Sequence, residues 1–183
     1  MGHWTGWLSY EAGAWIEPQN PWKDTDMATL WIASHDPIFK FDLKKRQLWL
    51  EGLNPKRFNA LISWMKLLSK DKIQDSSLYI SLDEWKWLTN KKDYIKGVKQ
   101  IKALIASGDI FQANLTACCT ATCPQETTSL DIFEKLRLEC PAPFSGLIIG
   151  AGDAADEAVI SASPERFIKT LSTGEVESRP IKG

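Results

Sequence analysis

The chain has 183 residues, 44% of them hydrophobic and 25% charged, which sets an expectation of one globular domain or slightly more. Twenty-two Lys and Arg against 23 Asp and Glu leave a formal net charge of −1. That balance argues against a nucleic-acid binder built on bulk charge and, with this apolar content, against disorder.

The N-terminal MGHWTGWLSYEAG lacks a basic region, and Glu11 interrupts its apolar part, so it does not read as a signal peptide. No uninterrupted apolar run approaches the length of a membrane span. The expected setting is the cytoplasm or an organellar stroma, with the 4 cysteines reduced. Cys118, Cys119 and Cys123 are close in sequence but have no histidine near them, and their spacing is not a zinc pattern. Nine tryptophans are many for this length, and aromatic packing on sheet faces and loop junctions is the expectation.

In chain order, short strands are expected near 7–10 and 29–34, the second one buried. His35-Asp36-Pro37 signals a turn, and 38–41 with 47–51 reads as a hairpin. A helix is expected over 55–69, with Asn54 as its cap, Pro55 in its first position, and Phe58, Leu61, Ile62, Met65 and Leu68 at helical spacing. Ser81 to Glu84 has the capping-box pattern of a short helical turn. A second long helix runs over 91–107, with Tyr94, Ile95, Val98, Ile101 and Ile105 on one face, a solvated lysine row on the other, and Gly108 at its C-terminal cap. A strand over 110–122 and a helix over 129–139, capped by Ser129 and ended by Pro141 and Pro143, come next. The remainder reads as strands near 146–150, 158–161, 166–171 and 175–178, with Thr173-Gly174 turning the last pair. This is an α+β pattern with largely antiparallel sheets and packed helices.

No P-loop or G-x-G-x-x-G follows a strand, and both histidines lie in the first 35 residues, so nucleotide folds and His-based triads have little support. Three places stand out. Ser163-Pro164-Glu165 sets a carboxylate at a proline turn between apolar strands, and GDIFQANL places Gln112 and Asn114 in an apolar strand where buried amides need partners. Arg179-Pro180-Ile181-Lys182-Gly183 puts a cation directly before a glycine. On residue type alone each has an ordinary explanation: a turn acid, a hydrogen-bonded amide, a solvated lysine.

Together, GDIFQANL, PAPFSGLI, SASPERFIK and ESRPIKG, in that order over about 91–183, resemble the chorismate-binding domain of the chorismate-utilising enzymes. GHWTGWLSYEAG is similar to the G-Y-L-S-Y-E segment of the family's N-terminal region. The resemblance implies a partial anthranilate synthase component I-like fold, with 1–88 as part of the N-terminal region and 89–183 as the first half of the chorismate-binding domain. P-I-K-G, where anthranilate synthases read P-I-A-G, points to the aminodeoxychorismate synthase subgroup. Gln112 stands where isochorismate- and salicylate-forming members carry a lysine base, and an amide has no useful basicity.

The resemblance further implies a catalytic Lys182 as nucleophile and Glu165 as general acid/base. It implies substrate binding by Gln112, Arg179 and Gly183, and an effector pocket for tryptophan that includes Pro143, Phe144 and Ser145. A free lysine is only about 0.1% neutral at neutral pH, so Lys182 needs activation by burial or a neighbouring cation. Arg179 is the nearest candidate in sequence, or else a ligand for a substrate carboxylate. Chorismate is the implied substrate, a glutamine amidotransferase subunit or domain the implied source of ammonia, and Mg²⁺ the implied cofactor. The metal's ligands are expected in a C-terminal half that the sequence does not contain, so no metal ligand is expected among these residues. The chain is accordingly expected to be a portion of a longer enzyme and inactive by itself. An anthranilate synthase component I-type enzyme and a non-catalytic effector-binding module are the alternatives.

Overall fold

The computed structural model describes residues 3–20, 22, 26–67 and 84–181. It divides into two compact units, one formed by 1–76 with 129–183 and the other by 77–128.

In the first unit, β1 (His3–Leu8) pairs antiparallel with β2 (Leu30–His35) through six residue pairs, from His3 opposite His35 to Leu8 opposite Leu30. Trp7 and Trp31 are cross-strand partners, and their rings stack with centroids 4.8 Å apart. The Trp7 indole donates to the Ala28 carbonyl at 2.9 Å and the Trp31 indole to the Ala151 carbonyl at 3.1 Å. Both tryptophans thus satisfy their one polar atom while contributing apolar area. Trp7, Ala12 and Ala154 are the buried apolar side chains among the described residues.

The strand expected at 7–10 is therefore displaced. It ends at Leu8, and Tyr10–Trp15 is a 3-10 helix instead. The strand expected to be buried at 29–34 is present, but Leu30 and Ile32 are half exposed, because one of its faces has no cover. The hairpin of β3 (Ile38–Asp42) and β4 (Gln47–Glu51) forms as expected. The Asp42 carboxylate accepts the amides of Lys44 and Lys45 and so closes its turn.

Helix α1 (Pro55–Leu67) starts where the Asn54-Pro55 pair places it, with the Asn54 side chain accepting the Arg57 amide at 3.2 Å. Leu68, the last expected apolar position, lies outside the described residues, as do residues 81–83 of the expected capping box. The later helix α3 (Ser129–Glu139) lies against β7 (Phe144–Ile149) and β8 (Ala158–Ser163), which pair antiparallel from Phe144 opposite Ser163 to Ile149 opposite Ala158. Ser129 is the first residue inside α3 rather than the residue before it. The last hairpin is shorter than expected: β9 (Lys169–Thr170) and β10 (Val176–Glu177) share two residue pairs. Its turn holds Gly174 at φ 88°, a left-handed conformation that glycine adopts without steric cost.

In the second unit, β5 (Lys86–Trp87) and β6 (Cys119–Thr120) pair antiparallel, and α2 (Lys91–Ser107) lies between them in sequence. Asn90 caps α2 by accepting the Lys92 amide at 2.8 Å, and Gly108, at φ 82°, closes it. The Gly108 and Asp109 amides return to the Ile105 and Leu104 carbonyls, which is a Schellman ending. The better covered face of α2 carries Tyr94, Gly97, Ile101 and Leu104, whereas Ile95, Val98 and Ile105 of the expected apolar face stay substantially exposed. The long strand expected over 110–122 reduces to two residues, because Lys86–Trp87 is the only partner strand it meets among the described residues. The Cys118 carbonyl adds two bonds, accepting the amides of Leu88 and Thr89.

Candidate functional site

The turn that follows β8 carries Glu165. The Ser163 hydroxyl donates to the Glu165 carbonyl at 2.9 Å and also accepts the Glu165 amide at 3.4 Å. The turn is thus held by the serine and by the backbone of the glutamate. Glu165 is exposed, and among the described residues its carboxyl group makes no hydrogen bond or ion pair. A carboxylic acid placed this way is available to a ligand and can accept or give a proton.

The next residue, Arg166, turns back over the sheet. Its guanidinium lies 5.0 Å from the centre of the Phe144 ring, a cation–π distance. Its Nη1 also pairs at 3.0 Å with Oε1 of Glu177 on β10. The same carboxylate receives Arg179 in a two-pronged contact: Nε lies 3.0 Å from Oε1, and Nη2 donates to Oε2 at 3.1 Å. The Ser178 hydroxyl donates to the Phe167 carbonyl at 3.0 Å and adds a rung to the short ladder. Four residues from three segments meet here, Phe144 from the start of β7, Arg166 after β8, and Glu177 and Arg179 from the returning arm, and Glu165 directly precedes Arg166 in the chain.

Among the sequence-predicted residues, the structure therefore brings Glu165, Phe144 and Arg179 into one neighbourhood of the first unit. Arg179 is already engaged there by Glu177. Ser145, on the strand beside Phe144, donates to the Ala142 carbonyl at 2.8 Å and holds the 142–145 bend, next to exposed Pro143. Gln112 lies in the second unit, exposed and outside any strand. Lys182 and Gly183 lie outside the described residues.

Sequence reasoning missed Arg166 and Glu177. Only part of this had a signal: Glu177 and Arg179, two residues apart in an extended arm, lie on one side of it, whereas the hairpin register sets Glu177 opposite Lys169 rather than Arg166.

Two concavities lie elsewhere. A groove of about 480 Å³ in the second unit is lined by Trp87, Thr89, Lys91, Tyr94 and Ala117. One of about 620 Å³ in the first unit sits at the start of α1, among Asp36, Leu53, Asn54, Pro55 and Lys56. Neither holds a sequence-predicted site residue. Among the described residues no group of three His, Cys, Asp or Glu side chains is arranged to hold a metal ion, and no helix is long and apolar enough to cross a membrane.

A family model described as chorismate binding enzyme matches residues 1–183. An anthranilate synthase component I-like protein of Synechocystis sp. is 30% identical over 188 residues, which cover 100% of this chain and 36% of that protein. Aminodeoxychorismate synthase component 1 of Klebsiella aerogenes is 28% identical over 186 residues, covering 100% of this chain and 38% of that protein. The crystal structure of anthranilate synthase component I from Streptococcus pneumoniae TIGR4 superposes with a TM-score of 0.69 at 18% identity, over 93% of this chain and 40% of that one. That likeness shows the fold, a part of the anthranilate synthase component I architecture. The chain spans between 36% and 38% of the length of the two curated relatives.

Proposed function

The chain belongs to the chorismate-binding enzyme family, and we propose that within it the chain supplies part of an aminodeoxychorismate synthase component I, which converts chorismate and ammonia to 4-amino-4-deoxychorismate. The observation that carries the reading is the sequence ESRPIKG, with lysine at 182, downstream of an uncommitted glutamate at 165. In the proposed organisation, 1–88 belong to the N-terminal region and 89–183 to the first half of the chorismate-binding domain.

The chemistry is two successive allylic displacements. The neutral Lys182 amine attacks C2 of chorismate, both ring double bonds shift (C1=C2 and C5=C6 become C1=C6 and C4=C5), and the C4 hydroxyl leaves as water with a proton from Glu165. Ammonia then attacks C4, the second displacement reverses these shifts, and the C2–lysine bond breaks, with the departing amine regaining its proton. Replacement at C4 thus proceeds without a free cation at that carbon. Gln112 fits this course, because an amide does not activate water for addition at C2.

The hairpin supports the reading by returning the arm that leads to Lys182 alongside the arm that leads from Glu165: Val176 faces Thr170 and Glu177 faces Lys169. Arg179 serves either to bind a substrate carboxylate or to favour the neutral form of Lys182, and Gly183 lets substrate approach the backbone there. Ammonia comes from a glutamine amidotransferase partner. Tryptophan is the proposed effector, at Pro143, Phe144 and Ser145.

The family generally uses Mg²⁺. The described residues do not by themselves build a cage for it, and no step above runs through it. The test is product identity. The whole enzyme of which the chain is proposed to supply a part, given chorismate and ammonium, should release 4-amino-4-deoxychorismate. Anthranilate or isochorismate as the main product would contradict the subgroup, and product from a Lys182→Ala variant at the wild-type rate would contradict the covalent route.

A further inference from the structure

We propose that Glu177 is a positioning residue for this reaction, a clamp that fixes the arm bearing Glu165 against the arm bearing Lys182. The proposal rests on the functional reading above for what the two arms carry, and on geometry for the clamp itself.

The hairpin is weakly built in every other respect. Its ladder has two residue pairs, and Phe167, Ile168 and Val176 leave most of their apolar surface outside. Isolated two-stranded hairpins of this kind are marginal in water. What ties the arms beyond the two paired residues is the Leu171 amide's bond to the Glu175 carbonyl next to the turn, the Ser178–Phe167 bond and, farthest from the turn, the carboxylate of Glu177. That carboxylate has two oxygens and uses both. One takes Arg166, the residue after Glu165. Both take Arg179, which lies three residues before Lys182.

An isolated exposed ion pair contributes little, but a forked guanidinium–carboxylate contact within a network is the recognised exception. Arg166 and Glu177 are each one-third exposed, and Arg166 is backed by the Phe144 ring, so this end of the network has limited freedom. The fork to Arg179 lies within the returning arm and holds the Glu177 carboxylate in place for Arg166, whose single 3.0 Å bond crosses between the arms. Reacting groups displaced by about 1 Å lose on the order of 10²-fold in rate, so a clamp between their two carriers acts on the chemical step rather than on substrate affinity. Glu177 touches neither substrate nor reacting atoms in this scheme and acts through the two arginines.

The experiment uses the whole enzyme of which the chain is proposed to supply a part, with Glu177→Gln and Glu177→Asp. The Gln variant keeps the shape and loses the charge. It should lower kcat by about tenfold or more, as expected for loss of charge-assisted bonds, with KM for chorismate within about twofold. The Asp variant should recover part of kcat, because it keeps the charge on a shorter arm. Amide hydrogens at 169, 170, 176 and 177 should exchange faster in the Gln variant. A kcat within twofold of wild type, or a raised KM with kcat unchanged, overturns the proposal. If the wild-type protein shows no amination of chorismate, the functional reading fails separately, and hydrogen exchange alone decides the clamp: unchanged exchange overturns it and faster exchange upholds it. Should the Gln variant not fold, the Asp variant is read by the same measurements, and full wild-type kcat and exchange in it count against the proposal.

Discussion

The strand pair β1–β2 and the hairpin β9–β10 are both antiparallel, and they are held by different forces. The first has six residue pairs, a stacked Trp7–Trp31 pair and two indole hydrogen bonds to backbone carbonyls. The second has two residue pairs and a carboxylate shared by two arginines. Apolar contact is non-directional and is not weakened by charge screening, so it fixes a location well and an angle poorly. A guanidinium fork is directional and screened by salt, so it fixes an angle and responds to its surroundings. The proposed chemistry rides on the second kind. A region whose stability comes from packing and a region whose geometry comes from charge should therefore answer differently to substitution.

The largest expected effect separates rate from stability. Glu165→Gln removes a proton donor whose side chain makes no contact among the described residues. In steady-state kinetics kcat should fall by about 10²–10⁴-fold, the usual contribution of a general acid, while the melting temperature stays at the wild-type value. A rate within a few-fold of wild type would leave Glu165 as a turn residue only.

Trp7→Ala should do the reverse. It deletes the largest buried side chain of the N-terminal strand pair, together with its stacking partner's contact and a hydrogen bond. Urea unfolding should show a loss of about 3–5 kcal/mol. A loss under about 1 kcal/mol would mean that packing does not hold this region.

Asn90→Ala carries the comparison into the second unit, where a single cap bond to the Lys92 amide starts α2. A loss of about 1 kcal/mol is expected by the same measurement, without any change in KM.

The smallest effect concerns acid. Hydrogen bonds from Lys40 and then from Trp49 hold the Glu51 carboxyl below its ordinary pKa of 4.5. A group depressed on folding stabilises the fold fully above its unfolded pKa, and that contribution disappears as pH falls through the folded value. Glu51→Gln should therefore cost a little stability at neutral pH, and that cost should vanish as pH falls below 4.5, which flattens the acid limb of the stability curve. An effect equal at pH 7 and pH 3 would mean that the residue acts by shape and not by charge.

How much of this was legible in the sequence depended on how local each signal is. Helix α2 was readable to its ends because its punctuation is local: Gly108 supplies the left-handed cap, and the apolar period repeats from Tyr94. Helix α1 was readable from Asn54-Pro55 for the same reason. The strand over 110–122 was overread, since β-prone composition does not make a strand without a partner, and Cys119–Thr120 meets only Lys86–Trp87. The Glu165 turn was legible in Ser163-Pro164 itself, whereas Phe144 was singled out only by motif resemblance, as part of an effector pocket and not as the neighbour of Arg166. Glu177 escaped notice because its partners, at positions 166 and 179, converge only after the hairpin sets its register.

The account's central claim is a covalent bond between Lys182 and chorismate, formed with the help of Glu165. Its most direct test is intact-protein mass spectrometry after incubation with chorismate in the absence of ammonia. The wild-type protein should gain the mass of chorismate less that of water, fragmentation should place the addition at Lys182, and ammonium should discharge it as 4-amino-4-deoxychorismate. No adduct under these conditions, with 4-amino-4-deoxychorismate still formed when ammonium is present, would contradict the covalent mechanism.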